Sequence, residues 1–243
     1  MTEDATWKLR PSDFAFLWEE CKRCFYLMVK EGFARPGTPM PKIFTKIDNE
    51  MKNFYRDKPT REVIPEMPAG RFVYEDRMVR STPLEIGGGP SPAYIQGKFD
   101  SVIRLDDGTY GVVDFKTSER KPDHLSIYGR QLHAYAYALE HPETGYRLDV
   151  GPITTLGLIV YEPHLYRHDG EGLPVLHGHL SWVQIKRDDA KFTAFLGEVI
   201  RVLRGGLPDP ASSCAWCRYR KLSRSLNLED DQLTLCGFRP ASE

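Results

Sequence analysis

Asp100, Asp114 and Lys116 combine residue types and spacing that can do chemistry. Two β-rich runs, Tyr94 to Leu105 and Tyr110 to Thr117, are joined by Asp106-Asp107-Gly108, a strong hairpin signal. With the turn at Asp107-Gly108, Asp100 falls opposite Asp114 or Phe115, at the separation of a cross-strand pair. Side chains alternate along a strand, so Asp114 and Lys116 share one face and Phe115 points to the other. Opposed carboxylates repel and lose solvation near a core, and a divalent cation removes both penalties. Hard oxygen ligands suit magnesium or manganese, with water and a substrate phosphate completing the shell. A cation of that kind acidifies water and stabilises charge developing on a phosphodiester. Lys116 can then orient the attacking water or stabilise the negative transition state. The same spacing is equally open to an Asp–Lys salt bridge on a solvated sheet face.

Other residues group around this hairpin or apart from it. Gln131 and Tyr135 are an i,i+4 pair and share a helix face. Alone they read as a polar-edge Gln beside a half-buried Tyr. Arg120, Lys121 and Arg130 lie near the hairpin in sequence and are open to phosphate contact or to simple solvation. Five cysteines, an odd number, argue against a full set of disulfides and suit a reducing compartment. Four form two C-x-x-C pairs, Cys21/Cys24 and Cys214/Cys217, and Cys236 stands near the end. A tetrathiolate site suits zinc or an iron–sulfur cluster and would clasp the first helix to the C-terminal tail. Cysteines without any metal are the alternative. His164, His168, His177 and His179 have no zinc-motif spacing and read as surface residues.

The elements that must position these groups follow from periodicity. Ser12-Asp13 caps a helix to about Gly32, with Phe14, Phe16, Leu17, Cys21, Cys24, Phe25 and Met28 near helical spacing. A second helix, Lys42 to Phe54, carries Ile43, Phe44, Ile47, Met51 and Phe54 on one face. Pro59 to Pro68 is irregular and Phe72 to Met78 an edge strand. Gly87-Gly88-Gly89-Pro90 lacks the Lys-Ser/Thr of a phosphate-binding loop and reads as a linker. After the hairpin come a helix over Leu125 to Glu140, a buried strand over Ile153 to Tyr161 and a strand over Leu180 to Lys186. Asp188 caps a helix to about Arg204, and Pro208-Asp209-Pro210 breaks the chain before the second C-x-x-C. Helices on both sides of a hairpin followed by more strands predict a single α/β domain over residues 1–243, a mixed sheet flanked by helices.

Composition sets the outer limits. The chain of 243 residues is 41% hydrophobic and 28% charged, enough apolar side chain for a real core. No run approaches the roughly 18–20 apolar residues that span a bilayer, and Met1 to Pro11 lacks a secretory pattern. A soluble cytoplasmic protein with no membrane partner is expected. A net charge of -1 excludes non-specific coating of nucleic acid, so a nucleic-acid partner needs a local basic patch.

Gly97-Lys98-Phe99-Asp100, Val113-Asp114-Phe115-Lys116-Thr117-Ser118 and Gln131-Leu132-His133-Ala134-Tyr135 together resemble the RecB-type branch of the PD-(D/E)XK nuclease superfamily. The resemblance implies a restriction-endonuclease-like fold and a magnesium- or manganese-dependent deoxyribonuclease, exonuclease-like on single-stranded or end-bearing DNA, in repair, recombination or defence. By the same resemblance Asp100, Asp114 and the Phe115 backbone carbonyl ligate the metal, Lys116 serves the water, and Gln131 and Tyr135 face the site. Many members clasp their ends with a four-iron four-sulfur cluster, using one Cys from the first helix and three near the C-terminus. Here Cys21, Cys214 and Cys217 match, Ser223 stands where the last Cys usually falls, and Cys24 or Cys236 is left as the fourth ligand. Asp48 stands where the family often has a histidine ligand and can bind metal through oxygen. Helicases or other repair and defence subunits are the implied partners. A catalytically inactive nucleic-acid-binding or interaction module is the rival reading.

Overall fold

The computed structural model describes residues 7–37, 41–86, 89–119, 123–168, 170 and 172–226. Arg120, Lys121, Cys236 and the first two glycines of the linker, Gly87 and Gly88, therefore lie outside the described residues. Two mixed sheets are flanked by helices, the restriction-endonuclease-like arrangement expected. The smaller sheet has β1 (Trp7–Leu9) parallel to β4 (Ala93–Lys98), with β3 (Met78–Arg80) antiparallel on the other side of β4. The larger runs β2 (Gly70–Glu75), β5 (Ser101–Leu105), β6 (Tyr110–Thr117), β7 (Ile153–Arg167), β8 (Val175–Ile185). Its one parallel pair is β6 with β7, and helix α6 (Asp123–Glu140) makes the crossover that such a pair requires.

The hairpin has the predicted register: Ser101 faces Val113 and Arg104 faces Tyr110. Its outer strand does not run on to Tyr94 as one piece. The chain breaks at Phe99-Asp100 and passes from β4 in one sheet to β5 in the other. At this break Phe99 N–H is taken by Arg77 O, and Asp100 leaves the ladder to accept from Phe115 N–H. Gly97 permits the approach, because a Cβ there would lie 2.8 Å from Pro11 Cδ and 3.2 Å from Tyr135 Cε1. The single strand expected over Phe72 to Met78 is likewise split, into β2 and β3, by a turn at Asp76 with φ 52°.

The first helix is three short ones, α1 (Pro11–Ala15), α2 (Leu17–Glu20) and α3 (Lys22–Glu31). It starts with Pro11 at its first position, not with a Ser12-Asp13 cap, and Arg10 precedes it without a side-chain cap. Cys21, at φ -167° and ψ 107°, is extended and interrupts the helix because its sulfur belongs to a cluster described below. Helix α4 (Lys42–Tyr55) also departs from expectation. Ile43, Phe44 and Phe54 are exposed, and the residue it buries is Lys52. A short helix, α5 (Thr60–Val63), occupies the stretch read as irregular. Strands β7 and β8 extend well past the expected limits, since a bulge between Pro163 and Leu165 absorbs the proline. His164 and His179 stack near that end, 4.2 Å between ring centres.

Alternation on β6 divides the core. Val113 and Phe115 pack with Phe72, Ile103 and Ile159 on one face of the larger sheet. Val112, Leu156, Leu158 and Val160 face the main core, which α6 and α7 (Asp189–Arg204) cover with Leu132, Tyr135, Phe195 and Leu196. Asp188 caps α7 as expected, accepting from Lys191 N–H at 2.9 Å. Among the described residues no helix is long and apolar enough to cross a membrane.

Candidate functional site

Asp114 is carried into the main-core face of β6 by the same alternation that buries Val112, and only 3% of its surface is exposed. Burial pushes its carboxyl up to about 7; Lys116 pulls it down and the neighbouring Asp100 carboxylate raises it further. Lys116 Nζ lies 2.5 Å from Asp114 Oδ2 and 4.8 Å from the centre of the Tyr128 ring. Burial works against the Lys116 ammonium, yet the attraction of Asp114 outweighs it and leaves its pKa raised. Gln131 Nε2 donates to Asp114 Oδ1 at 3.0 Å, fixing the carboxylate rotamer from α6. One turn on, Tyr135 Oη donates to Lys98 O at 2.8 Å and anchors the end of β4 beside Asp100.

Asp100 closes the arrangement from the break between sheets. Its Oδ2 accepts from Phe115 N–H at 2.9 Å. A strand residue turns its N–H and C=O to the same neighbour, so the Phe115 carbonyl faces the Asp100 side as well. Two buried oxygens, Asp114 Oδ2 and Gln131 Oε1, have no well-formed hydrogen bond, although the first is in ion-pair contact with Lys116. Gln131 Oε1, without a partner among the described residues, beside two acids and a backbone carbonyl makes a hard-oxygen donor set that fits a magnesium- or manganese-type cation.

Asp48 comes to this cluster from α4, with a companion the sequence reading did not single out. Lys52 Nζ lies 2.7 Å from Asp48 Oδ2, 2.7 Å from Asp100 Oδ1 and 3.1 Å from Asp76 Oδ1. Lys98 Nζ also meets Asp76, at 3.0 Å. The available signal was the i,i+4 spacing of Asp48 and Lys52; nothing local marked Asp76. Arg130 pairs with Glu19 and lies over the Phe195 ring, 4.5 Å from its centre.

The second cluster gathers sulfur. Cys21 precedes α3, Cys24 lies in its first turn, Cys214 caps α8 (Ala215–Ser225) and Cys217 lies one turn into it. Their four Sγ atoms all lie within 4.8 Å of one another. Separations of 3.8 Å for Cys21–Cys217, 3.7 Å for Cys24–Cys214 and 3.6 Å for Cys24–Cys217 are too long for disulfides. Burial pushes the Cys24 thiol up to about 12. It works against Cys21 as well, but hydrogen bonds from the backbone and neighbouring thiols bring that thiol down to about 7. Arg35 Nη2 reaches Cys214 Sγ at 3.4 Å, and Arg220 Nη2 reaches Cys217 Sγ at 3.3 Å and Cys24 Sγ at 3.8 Å. Cys24 thus takes the fourth position. Ser223, on α8, turns its hydroxyl to Arg220 O instead.

No curated protein matches this chain in sequence. Among solved structures, that of SSO0001 aligns with a TM-score of 0.45 at 15% identity, covering 96% of this chain and 89% of that one. The family model of the PD-(D/E)XK nuclease superfamily matches residues 28–222. That span covers well over half of the chain and brackets the acidic cluster from Asp48 to Tyr135, and the chain belongs to the PD-(D/E)XK nuclease superfamily.

Proposed function

We propose that the chain is a RecB-type member of this superfamily and a magnesium- or manganese-dependent deoxyribonuclease. It acts exonuclease-like on single-stranded or end-bearing DNA, in repair, recombination or defence, as a cytoplasmic single domain that can work beside a helicase or similar subunit. The observation that carries this reading is the meeting of Asp100, Asp114 and Lys116 beside the buried Gln131 side chain at the break between two sheets.

Asp100, Asp114 and the Phe115 carbonyl would hold the cation, which when bound supplies Lewis-acid polarisation of the phosphodiester and an acidified water. Gln131 fixes the Asp114 rotamer through Nε2 and offers its free Oε1 to water or substrate. Tyr135 keeps the β4 end, and with it Asp100, in place. Lys116 stays protonated beside Asp114, so it donates to the attacking water or to a phosphate oxygen as negative charge develops. Water adds to phosphorus and gives up a proton to solvent, one P–O ester bond breaks, and the leaving oxygen takes up a proton, giving a phosphomonoester and a hydroxyl end. Helix α8, with Arg218, Arg220, Lys221 and Arg224, no acidic residue and an exposed Tyr219, offers a local basic patch for the DNA backbone.

We assign the sulfur site to zinc. A tetrahedron with Zn–S bonds of about 2.3 Å has edges of about 3.8 Å. A four-iron cluster stands between its thiolates and spreads them to about 6 Å. Three of the six separations, at 3.6–3.8 Å, fit the first, and all six lie within 4.8 Å, short of the second. Anaerobically purified protein should be colourless with one zinc per chain; iron, sulfide and absorption near 400 nm would contradict this assignment.

The activity is tested with end-labelled single- and double-stranded DNA in manganese, magnesium or EDTA. Wild type should cut only with metal, and Lys116→Ala should cut about 100-fold slower or less. DNA binding without cutting by either folded protein would make the chain a non-catalytic binding module.

A further inference from the structure

Lys52 has all three of its N–H donors facing carboxylates from three different places in the fold. Asp48 comes from the same helix, Asp76 from the turn between β2 and β3, and Asp100 from the break between sheets. An ammonium has three donors and no acceptor, so this one is fully engaged. It is 4% exposed, the residue that α4 buries in place of its own apolar stripe. Asp76 is held there at a positive φ of 52°, a conformation that costs energy and persists where its surroundings require it. Two backbone bonds, Asp76 N–H to Asp100 O and Phe99 N–H to Arg77 O, fasten that turn to the Asp100 break.

We propose that the Lys52 ammonium is a resident cation standing where a second divalent ion would otherwise sit, so that the acidic site takes one metal ion per chain. Lys52 holds Asp100 Oδ1 while Phe115 N–H holds Oδ2, and so sets the orientation in which Asp100 presents its remaining lone pairs. It is a positioning residue, and Asp48 is its partner, not a ligand. The charge balance agrees. Asp48, Asp76, Asp100 and Asp114 face Lys52, Lys98 and Lys116, leaving one formal negative charge, which suits one divalent cation and opposes two. This inference rests on the proposal that Asp100 and Asp114 bind a divalent metal.

The test is Mn2+ binding by calorimetry on the full chain with its cysteine site loaded, alongside Lys52→Met and Asp114→Asn. Wild type should bind one Mn2+ per chain, and Asp114→Asn should weaken that binding at least 10-fold. Lys52→Met should bind two and show a larger Mn2+-induced rise in Tm than wild type. Two ions on wild type, or a folded Lys52→Met that still binds one, would overturn the assignment of Lys52. If Lys52→Met does not fold, the wild-type count decides alone. No Mn2+ on wild type would instead remove the metal-site reading, and this inference with it.

Discussion

The chain holds two cation-gathering clusters built from opposite materials. At the acidic site the donors are hard oxygens, drawn mainly from one hairpin and the elements touching it, and three lysines compensate them from within. At the sulfur site four thiols come from segments some 190 residues apart, and two arginines reach in from the rim. Buried carboxylates beside ammoniums are a poor source of stability, because desolvation offsets most of their attraction. A tetrathiolate zinc contributes folding free energy outright and closes a very long loop. On the proposed reading the difference is a division of labour: the oxygen site is held for reactivity and the sulfur site for the fold.

The sharpest way to break this division is Asp114→Asn/Lys116→Met, which removes a buried ion pair without leaving either partner alone. Cleavage should fall about 1,000-fold or more. In EDTA the variant should melt at or above the wild-type Tm, since near-isosteric replacement of a buried pair is commonly neutral or stabilising. A clear fall in Tm measured by circular dichroism would make the pair structural. Next in size, Cys214→Ser should cost about 3 kcal/mol or more, about 10 °C in Tm for a chain of this length, with zinc content lost. Below its own Tm it should bind DNA more weakly, because α8 loses its anchor, yet at saturating DNA cut within a few-fold of wild type.

The smallest effect belongs to a carboxylate in neither cluster. Asp13, in the first turn of α1, has an oxygen without a partner, and burial raises its pKa to about 6 against the pull of Arg10. A carboxyl raised in the folded state is neutral in both states below about pH 4 and carries its full penalty above about pH 6. Asp13→Asn should therefore leave stability unchanged near pH 4 and add about 1–2 kcal/mol at pH 7. Denaturant unfolding at the two pH values checks this. An equal gain at both would mean the effect is packing and not ionisation.

Much of the hairpin was legible because its signals are local. Asp107-Gly108 set the turn, alternation placed Asp114 opposite in direction to Phe115, and the register followed. What sequence hides is the exact break at Phe99-Asp100: Gly97, Lys98 and Asp100 weaken the β signal without placing an end, and contacts with Arg77 and Phe115 place it. Lys52 was hidden for a related reason. The apolar pattern of α4 pointed to Ile43, Phe44, Ile47, Met51 and Phe54, of which Ile47 and Met51 are half-buried, whereas the helix turns toward the sheet the face carrying Asp48 and Lys52 beside Met51, a choice made by carboxylates far along the chain. The cysteine pairs were visible as spacing. That Cys24 and not Ser223 completes the four among the described residues depends on Cys21 breaking the first helix, which no helical periodicity reveals.

The most direct measurement is the rate of cleavage of an end-labelled single-stranded DNA at saturating DNA in Mn2+, at a temperature below the Tm of each protein, for wild type, Asp114→Asn/Lys116→Met and Cys214→Ser. Cutting by wild type and Cys214→Ser at similar rates, with none by the double variant, is the predicted result. Cutting by the double variant at the wild-type rate, or its loss in folded Cys214→Ser, would contradict the assignment of chemistry to the oxygen site and stability to the sulfur site.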